Sequence, residues 1–405
     1  MLARIIDRIL LRRHFWRHAT FSEVAELYAS RSMRVFAIRM FSAFISIYLL
    51  QEGFGVVFIA LFWAGFYALR SILAPMSATL VGYFGPKRMT LVSNILSMFA
   101  MLVMPLVPEF GFLALLVWGL LEGVSTSIHD IAYLVNFSKV KSMKHAGKEM
   151  AFMNIVEKVA ASLSPIAGGV MAFLAGPQSV MVVASALLLL AALPLFWTGE
   201  PTRVRQKLNF QGFPWRLTWR SMVAESAIGL DTVASSTGWT LFMGVVIFST
   251  NSNDIYAKIG FLSSVAIVAS LLSSYMFGKL IDRDRGGELL RFGVFANSIT
   301  YIIRVFTTTP TGVATVNMLN EGAIAAFNMA FTRGMFDTAD MSGRRIAYLS
   351  LMSMSLNIGC TIGALLLAGL FAAISSEVLV FQVFYGVMAI VTLLIATPRF
   401  ALYSK

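Results

Sequence analysis

Cysteine is nearly absent from this chain. Its 405 residues include one, Cys360, which rules out an internal disulfide framework and argues against a cysteine-based metal site. Histidine is almost as scarce: there are four, and none forms a metal-spaced cluster, so neither a metal nor a cofactor is expected. Charge is scarce as well. Only 13% of residues are Asp, Glu, Lys or Arg, about half the share of an ordinary soluble domain. The chain does not open on an apolar core followed by a small-residue cleavage site, so no signal peptide is read. No nucleophile motif occurs. An enzyme would have to work with His129/Asp130 or Glu321 as acid and base, and the reading here is that the chain is not an enzyme.

What fills the sequence instead is apolar. Hydrophobic residues make up 58% of it, and mean hydropathy is +0.77. A soluble core cannot hide that much apolar surface, so lipid must solvate the excess. A helix that crosses a bilayer needs about 20 mainly apolar residues. Such spans fall at 32–51, 54–81, 89–107, 111–137, 149–174, 178–198, 222–249, 255–281, 288–306, 311–335, 344–373 and 377–398. They are too long, and alternate too little, for barrel strands. Turn-like breaks at Glu52-Gly53, Pro108–Gly111, Gly176-Pro177 and Pro310 separate several of them. The fold class expected is an all-α integral membrane protein of about twelve helices.

A net charge of +12 raises the possibility of nucleic acid, which would need bases gathered on one soluble face. Here they sit in short clusters between apolar runs. Arg4, Arg8, Arg12, Arg13, Arg17 and Arg31 precede span 1. Lys87 and Arg88 follow span 2, Lys139, Lys141, Lys144 and Lys148 follow span 4, and Arg203, Arg205, Lys207, Arg216 and Arg220 follow span 6. Lys279, Arg283 and Arg285 follow span 8, and Arg333, Arg344 and Arg345 lie around the end of span 10. With alternating helices all these connections share one side, and Lys258 is the main exception. The positive-inside rule places that side, and both termini, in the cytoplasm of a cell whose inner membrane holds the protein. No nucleic-acid partner is expected.

The longest polar break, Thr198–Arg220, contains Pro201 and Pro214 and divides the spans into two groups of six. The expected organisation is a basic amphipathic segment (1–31) on the cytoplasmic leaflet, a six-helix bundle (32–198), a cytoplasmic linker (199–221), a second six-helix bundle (222–398) and a short tail (399–405). The halves echo each other. Gly147-Lys-Glu-Met-Ala-Phe-Met-Asn matches Gly343-Arg-Arg-Ile-Ala-Tyr-Leu-Ser in position and pattern. Internal repetition at half-length is typical of transporters.

One loop is more specific. Gly278-Lys-Leu-Ile-Asp282-Arg283-Asp-Arg-Gly286 closes span 8. It resembles the loop motif of the major facilitator superfamily, in which a glycine, an acid four residues on and a second glycine stand among bases. The first-half counterpart keeps Gly85, Lys87 and Arg88 but has Ala78 and Gly82 where the first glycine and the acid are expected. Span 5 adds Ser164-Pro165-Ile-Ala-Gly168-Gly169, like the Pro/Gly-rich fifth helix of many members. The resemblance implies two pseudo-symmetric six-helix bundles around a central cavity, lined by helices 1, 4, 7 and 10 and flanked by 2, 5, 8 and 11. It implies alternating access, with the loops as conformational switches.

A charge at mid-bilayer costs at least about 2.5–3.5 kcal/mol, so each needs a partner or a wet cavity. Span 4 carries Glu122, Thr126, His129, Tyr133 and Asn136 on one helical face, with Asp130 beside it. Span 10 carries Asn317, Glu321 and Asn328, with Asn320 adjacent. Span 11 has Ser350, Ser353, Asn357 and Thr361, where close packing competes with ligand binding. Span 7 offers Asp231, Ser235 and Trp239, and span 1 offers Arg39. Arg70 and the neighbours Glu157 and Lys158 lie on flanking spans. Arg39–Glu157 and Arg70–Asp130 are the expected ion pairs, and Arg304 is expected to snorkel to the surface. Tyr133 and Trp239 are stacking candidates for a ligand.

These features lead to an expectation of a monomeric secondary transporter of a small molecule, coupled to protons and surrounded by lipid. The intramembrane bases favour an anionic or zwitterionic substrate. A multidrug or hydrophobic-compound exporter, and an uncoupled lipid scramblase or transporter-like receptor, remain as alternatives.

Overall fold

Each apolar span forms a helix, and among the described residues most chain reversals fall at glycine or proline. The computed structural model describes residues 21–140, 146–196, 208–248, 254–281 and 285–403. Among these residues the structure is all helical, with no strand. Helix α1 runs Phe21–Ser42, breaks at residues 43–44 and resumes as Ile45–Gln51. Helix α2 is Val56–Phe84. Helix α3 is Pro86–Val103, prolonged by short turns to Phe110. Helix α4 is Phe112–Val140, α5 Ala146–Ala175 and α6 Pro177–Ala192. Helix α7 is Trp215–Val233 and continues to Ile247 through two π-helical turns, Ala234–Gly238 and Met243–Ile247. Helix α8 is Ile255–Ile281, α9 Gly286–Val305, α10 Pro310–Met341, α11 Arg345–Ala373 and α12 Glu377–Val391.

The helix ends follow from local chemistry. Gly85, at φ +98°, stops α2, and Pro86 at the next position starts α3; the positive φ suits glycine, and proline lacks only an N–H that a first helical turn leaves unpaired anyway. Gly176 and Pro177 repeat the device before α6. The Thr309 side chain accepts from the Gly312 N–H to cap α10, and Ser376 caps α12 by accepting from Leu379.

Ten of these helices are long and apolar enough to cross a membrane. Helices α9 and α10, which carry more polar residues, complete the twelve. Ile72, Leu174 and Phe306 are 69%, 75% and 76% exposed, as expected where lipid is the solvent. Within the first half α1 packs on α5 and α6, α2 on α4, and α3 on α4 and α6. Within the second half α7 packs on α11, α8 on α10, and α9 on α10 and α12. Most of the pairing thus recurs six helices on. The halves meet along α2–α11 and α5–α8, and these two contacts are also related by a shift of six.

Several starts and ends differ from the sequence reading. The first helix is already formed by Phe21 and the seventh by Trp215, ahead of the apolar stretches at 32 and 222, because helices extend past the hydrocarbon. Most of the amphipathic segment before Tyr28 lies outside the described residues, as do Asp282 and Arg283 of the loop motif. Buried apolar side chains form two clusters. One includes Phe44, Ile47, Trp118 and Tyr385 near the base-poor end; the other includes Val81, Val135, Phe331 and Tyr348 near the basic-loop end. The intramembrane charges lie largely at the boundary between them.

Candidate functional site

In the first half, α1 presents Arg31 and Arg34 on one face, three residues apart. Arg31 Nε donates to Glu157 Oε1 at 3.1 Å, its Nη1 lies 2.6 Å from His129 Nε2, and its guanidinium sits 4.0 Å above the Tyr133 ring. Arginine can only donate, so His129 Nε2 is the acceptor and its Nδ1 faces Ser93 at 3.4 Å. Tyr133 donates its hydroxyl to Glu157 at 2.7 Å. Deeper in, Arg34 is 2% exposed and bonds Asn94 and Ser125 at 3.0 and 3.2 Å. Ser97 connects this group to Glu122, whose carboxylate it donates to at 2.7 Å. Thr126 donates to the same carboxylate. These bonds tie α1, α3, α4 and α5 together. A pocket of about 190 Å³ opens between α1, α4 and α5, and Arg31, Arg34, Arg39, His129, Asp130 and Glu157 are on its wall.

A larger cavity of about 430 Å³ lies between the halves. From the first half it is lined by Arg39 and Ser46 of α1, Trp63, Tyr67 and Arg70 of α2, and Pro165 of α5. The second half contributes Ser235, Trp239 and Thr240 of α7, Arg304 of α9, and Asn317, Asn320 and Glu321 of α10. Across it Lys158 on α5 donates to Glu321 at 2.8 Å. Arg70 donates to Asp130 at 2.6 Å.

A buried chain runs through the second half. Arg304 donates to Asn320 at 2.8 Å, Asn320 to Asn297 at 2.7 Å, and Asn297 to Asp231 at 2.6 Å. Tyr301 donates to the same Asp231 oxygen at 2.7 Å. The Arg304 guanidinium lies 4.4 Å from the centre of the Trp239 ring, and the indole N–H donates to Asn317 at 2.5 Å. The π-helical turn at Ala234–Gly238 contributes as well: Arg304 approaches the Ala234 carbonyl at 3.5 Å. Such turns leave carbonyls out of the regular ladder and recur at functional sites.

The expected residues therefore separate. Arg39, Arg70, Trp239, Asn317, Asn320 and Glu321 line the larger cavity, and His129, Asp130, Glu157 and Lys158 line the smaller one. Glu122 and Asp231 are enclosed in hydrogen-bond networks. Tyr133 belongs to the Arg31–Glu157 group. Asn357 is 1% exposed and bonds the Ser353 carbonyl of its own helix. Asn328 is exposed, beyond the cavity wall. Among the loop residues, Gly85 makes the α2–α3 turn, Arg88 is exposed and Lys87 is only 3% exposed, held inside the protein rather than turned to headgroups. Gly278 lies in the last turns of α8, and Gly286 opens α9 against Tyr403.

Two expectations are corrected. Glu157 pairs with Arg31, not Arg39, because Arg31 lies two turns nearer the basic-loop end of α1, where Glu157 approaches. Arg304 does not snorkel: it is 1% exposed and turned inward onto Trp239 and Asn320. The sequence reading also passed over Arg34, Asn94, Ser97, Asn297 and Tyr301. The spacing of Arg31 and Arg34 was the available signal. The polar residues of α3 and α9 lie on helices not expected to face a cavity.

A sequence profile of the Major Facilitator Superfamily matches residues 27–256. No curated protein sequence matches the chain. Among solved structures, the crystal structure of the human organic anion transporter MFSD10 (TETRAN) is similar with a TM-score of 0.69 at 11% identity, over 93% of this chain and 100% of that one. FucP, a Major Facilitator Superfamily transporter in the outward conformation, is similar with a TM-score of 0.64 at 11% identity, over 93% and 98% of the two chains. At that identity the likeness is one of fold.

Proposed function

Because this chain belongs to the Major Facilitator Superfamily, we propose that it is a secondary transporter that carries a small anionic or zwitterionic molecule across the cell membrane by alternating access. The observation behind this reading is the cavity between the halves, where three guanidinium groups (Arg39, Arg70 and Arg304) share the wall with one carboxylate, Glu321. Its volume of about 430 Å³ falls in the usual range for small-molecule sites. Charged walls of this kind disfavour a hydrophobic drug or a lipid tail, since its entry would strip water from several ions without replacing it.

Glu321 is the proposed coupling residue. Its bond to Lys158 links α10 to α5 across the cavity. A proton on Glu321 would remove the counter-charge of Lys158 and weaken that link, so proton binding and movement of the halves share one group.

The test begins with thermal-shift screening of the full chain in detergent against small anions, zwitterions, cations and neutral compounds. The ligand found is then offered to proteoliposomes under an imposed proton gradient. Concentrative uptake without chemical change supports the reading. Conversion of the ligand to product would replace it with an enzyme, and equilibration insensitive to the gradient would replace coupling with uniport.

A further inference from the structure

The charges around the central cavity do not balance. Four cations surround it: Arg39, Arg70 and Arg304 on the wall, and Lys158 reaching across. Three carboxylates accompany them: Asp130, Glu321 and Asp231. Asp130 is taken by Arg70, and Glu321 by Lys158. Asp231 is enclosed by Asn297 and Tyr301, and among the described residues its hydrogen-bonded path to Arg304 runs through Asn297 and Asn320. One positive charge is therefore in surplus. Arg39 is exposed to the cavity, and among the described residues no acid lies within ion-pair distance of it.

Arg304 supplies the second half of the argument. It is 1% exposed, and among the described residues its hydrogen-bonding partners are neutral: the Asn320 side chain at 2.8 Å and the Ala234 carbonyl at a long 3.5 Å. Its Nε has no partner among the described residues. A guanidinium has five N–H donors, and burying them unpaired is costly. The stack on Trp239 at 4.4 Å fixes the plane of the group and contributes to its stability, but it supplies no acceptor. Among the described residues neither arginine has a carboxylate of its own, and the two stand on opposite walls of one cavity.

We infer that Arg39 of α1 and Arg304 of α9 form a subsite for a single monoanionic group, a carboxylate or sulfonate, held between the two halves. This rests on the transport reading above and narrows its substrate class: one negative charge, with the rest of the molecule turned towards Ser46, Ser235 and Thr240. A phosphate dianion would bring more charge than the surplus neutralises. An anion held by both arginines also spans the halves alongside the Lys158–Glu321 bond, so an occupied subsite favours the closed arrangement of these walls.

The experiment uses the purified full chain in detergent and three isosteric probes: benzoate, benzylamine and benzyl alcohol. Binding is read by calorimetry and thermal shift. Benzoate should bind and the other two should not. Arg39→Gln and Arg304→Gln should each weaken benzoate roughly 10- to 100-fold, the loss of one charge-assisted pair. Arg304→Lys should recover part of the loss, and Lys258→Gln, on an exposed ion pair with Asp254, should change nothing. Arg39 is exposed, so its variant remains informative even where Arg304→Gln lowers folding yield. Benzoate binding that survives Arg39→Gln unchanged overturns the subsite while leaving an anion transporter intact. Equal binding of benzylamine or benzyl alcohol, or no benzoate binding to the unaltered chain, overturns both the subsite and the anionic substrate class.

Discussion

Lys158 on α5 and Glu321 on α10 meet at 2.8 Å across the boundary between the two halves. Their side chains are 24% and 23% exposed, so cavity water screens them in part. The pair is worth less than a fully buried one and more than a surface pair. It spans the cavity whose other charged side chains are mostly arginines, and that setting makes its two members unequal.

Removing Glu321 leaves Arg39, Arg70, Arg304 and Lys158 around the cavity with no acid on its wall among the described residues, whereas removing Lys158 leaves Glu321 with Arg39 on the same wall. Glu321→Gln should therefore lower the melting temperature more than Lys158→Gln, by an amount corresponding to about 1–3 kcal/mol. The exchanged pair Lys158→Glu/Glu321→Lys should recover most of the loss. A larger effect from Lys158→Gln, or no recovery in the exchanged pair, would show that the bond does not hold the halves together.

The base-poor end of the α5–α8 contact depends on small residues. A Cβ built on Gly260 would lie 2.3 Å from the Pro165 carbonyl oxygen, and one on Gly169 2.6 Å from the Tyr256 carbonyl oxygen. Backbone cannot yield as a flexible side chain can, so Gly169→Ala and Gly260→Ala should each destabilise by about 1–3 kcal/mol. Gly65 and Gly369 are also helical but have nothing within 4 Å of an added Cβ. Alanine there should be neutral or slightly stabilising, by up to roughly 1 kcal/mol. Melting temperatures of the four variants in one detergent decide this, and four equal values would remove the packing argument.

Much of this architecture is legible in the sequence because bilayer thickness imposes one length on every crossing segment. Spans such as 54–81 and 377–398 therefore fall close to Val56–Phe84 and the run from Glu377 to Ala396. The break at residues 43–44 and the π-helical turns around Trp239 are not legible, since one extra residue in a turn barely alters an apolar pattern. Arg70–Asp130 could be anticipated, because Arg70 is the one charge on α2 and Asp130 lies at a similar depth on α4. The partner of Glu157 could not. Arg31 lay just outside the span drawn from residue 32, and it lies about 12 Å further along the same helix than Arg39. Arg304 was misplaced for the opposite reason. Depth alone suggested snorkelling, and only packing shows the neutral acceptors and the indole that hold it inside.

The distribution of bases carries an expectation of orientation that lends itself to a direct test. Arg344 and Arg345 lie at the same end of the bundle as Lys87 and Arg88, and the positive-inside rule assigns that end to the cytoplasm. A reporter active only in the cytoplasm, fused after Lys405, should give signal, and one active only outside should not. The reverse pattern would invert the protein and exchange its uptake and efflux directions.

Glu157 and Glu321 are both part-buried carboxylates with a basic partner, but their surroundings assign them different tasks. Glu321 bonds to Lys158 across the halves. Glu157 accepts from Arg31 and Tyr133, both of its own half, and Arg31 is further engaged with His129. A proton on Glu157 would loosen contacts within one bundle; it would not release one bundle from the other. Tyr133→Phe removes a 2.7 Å hydrogen bond to a carboxylate and should cost about 1.5–3 kcal/mol of stability. It should leave the ratio of gradient-driven uptake to exchange unchanged. Glu157→Gln should likewise lower the melting temperature and keep concentrative uptake in whatever protein folds. Glu321→Gln should abolish accumulation against a gradient while preserving counterflow exchange, because exchange needs the halves to move but needs no net proton transfer. Uptake and counterflow measured in parallel on proteoliposomes of the three variants separate these roles. Loss of accumulation in Glu157→Gln, with accumulation retained in Glu321→Gln, would move the coupling site to the first half.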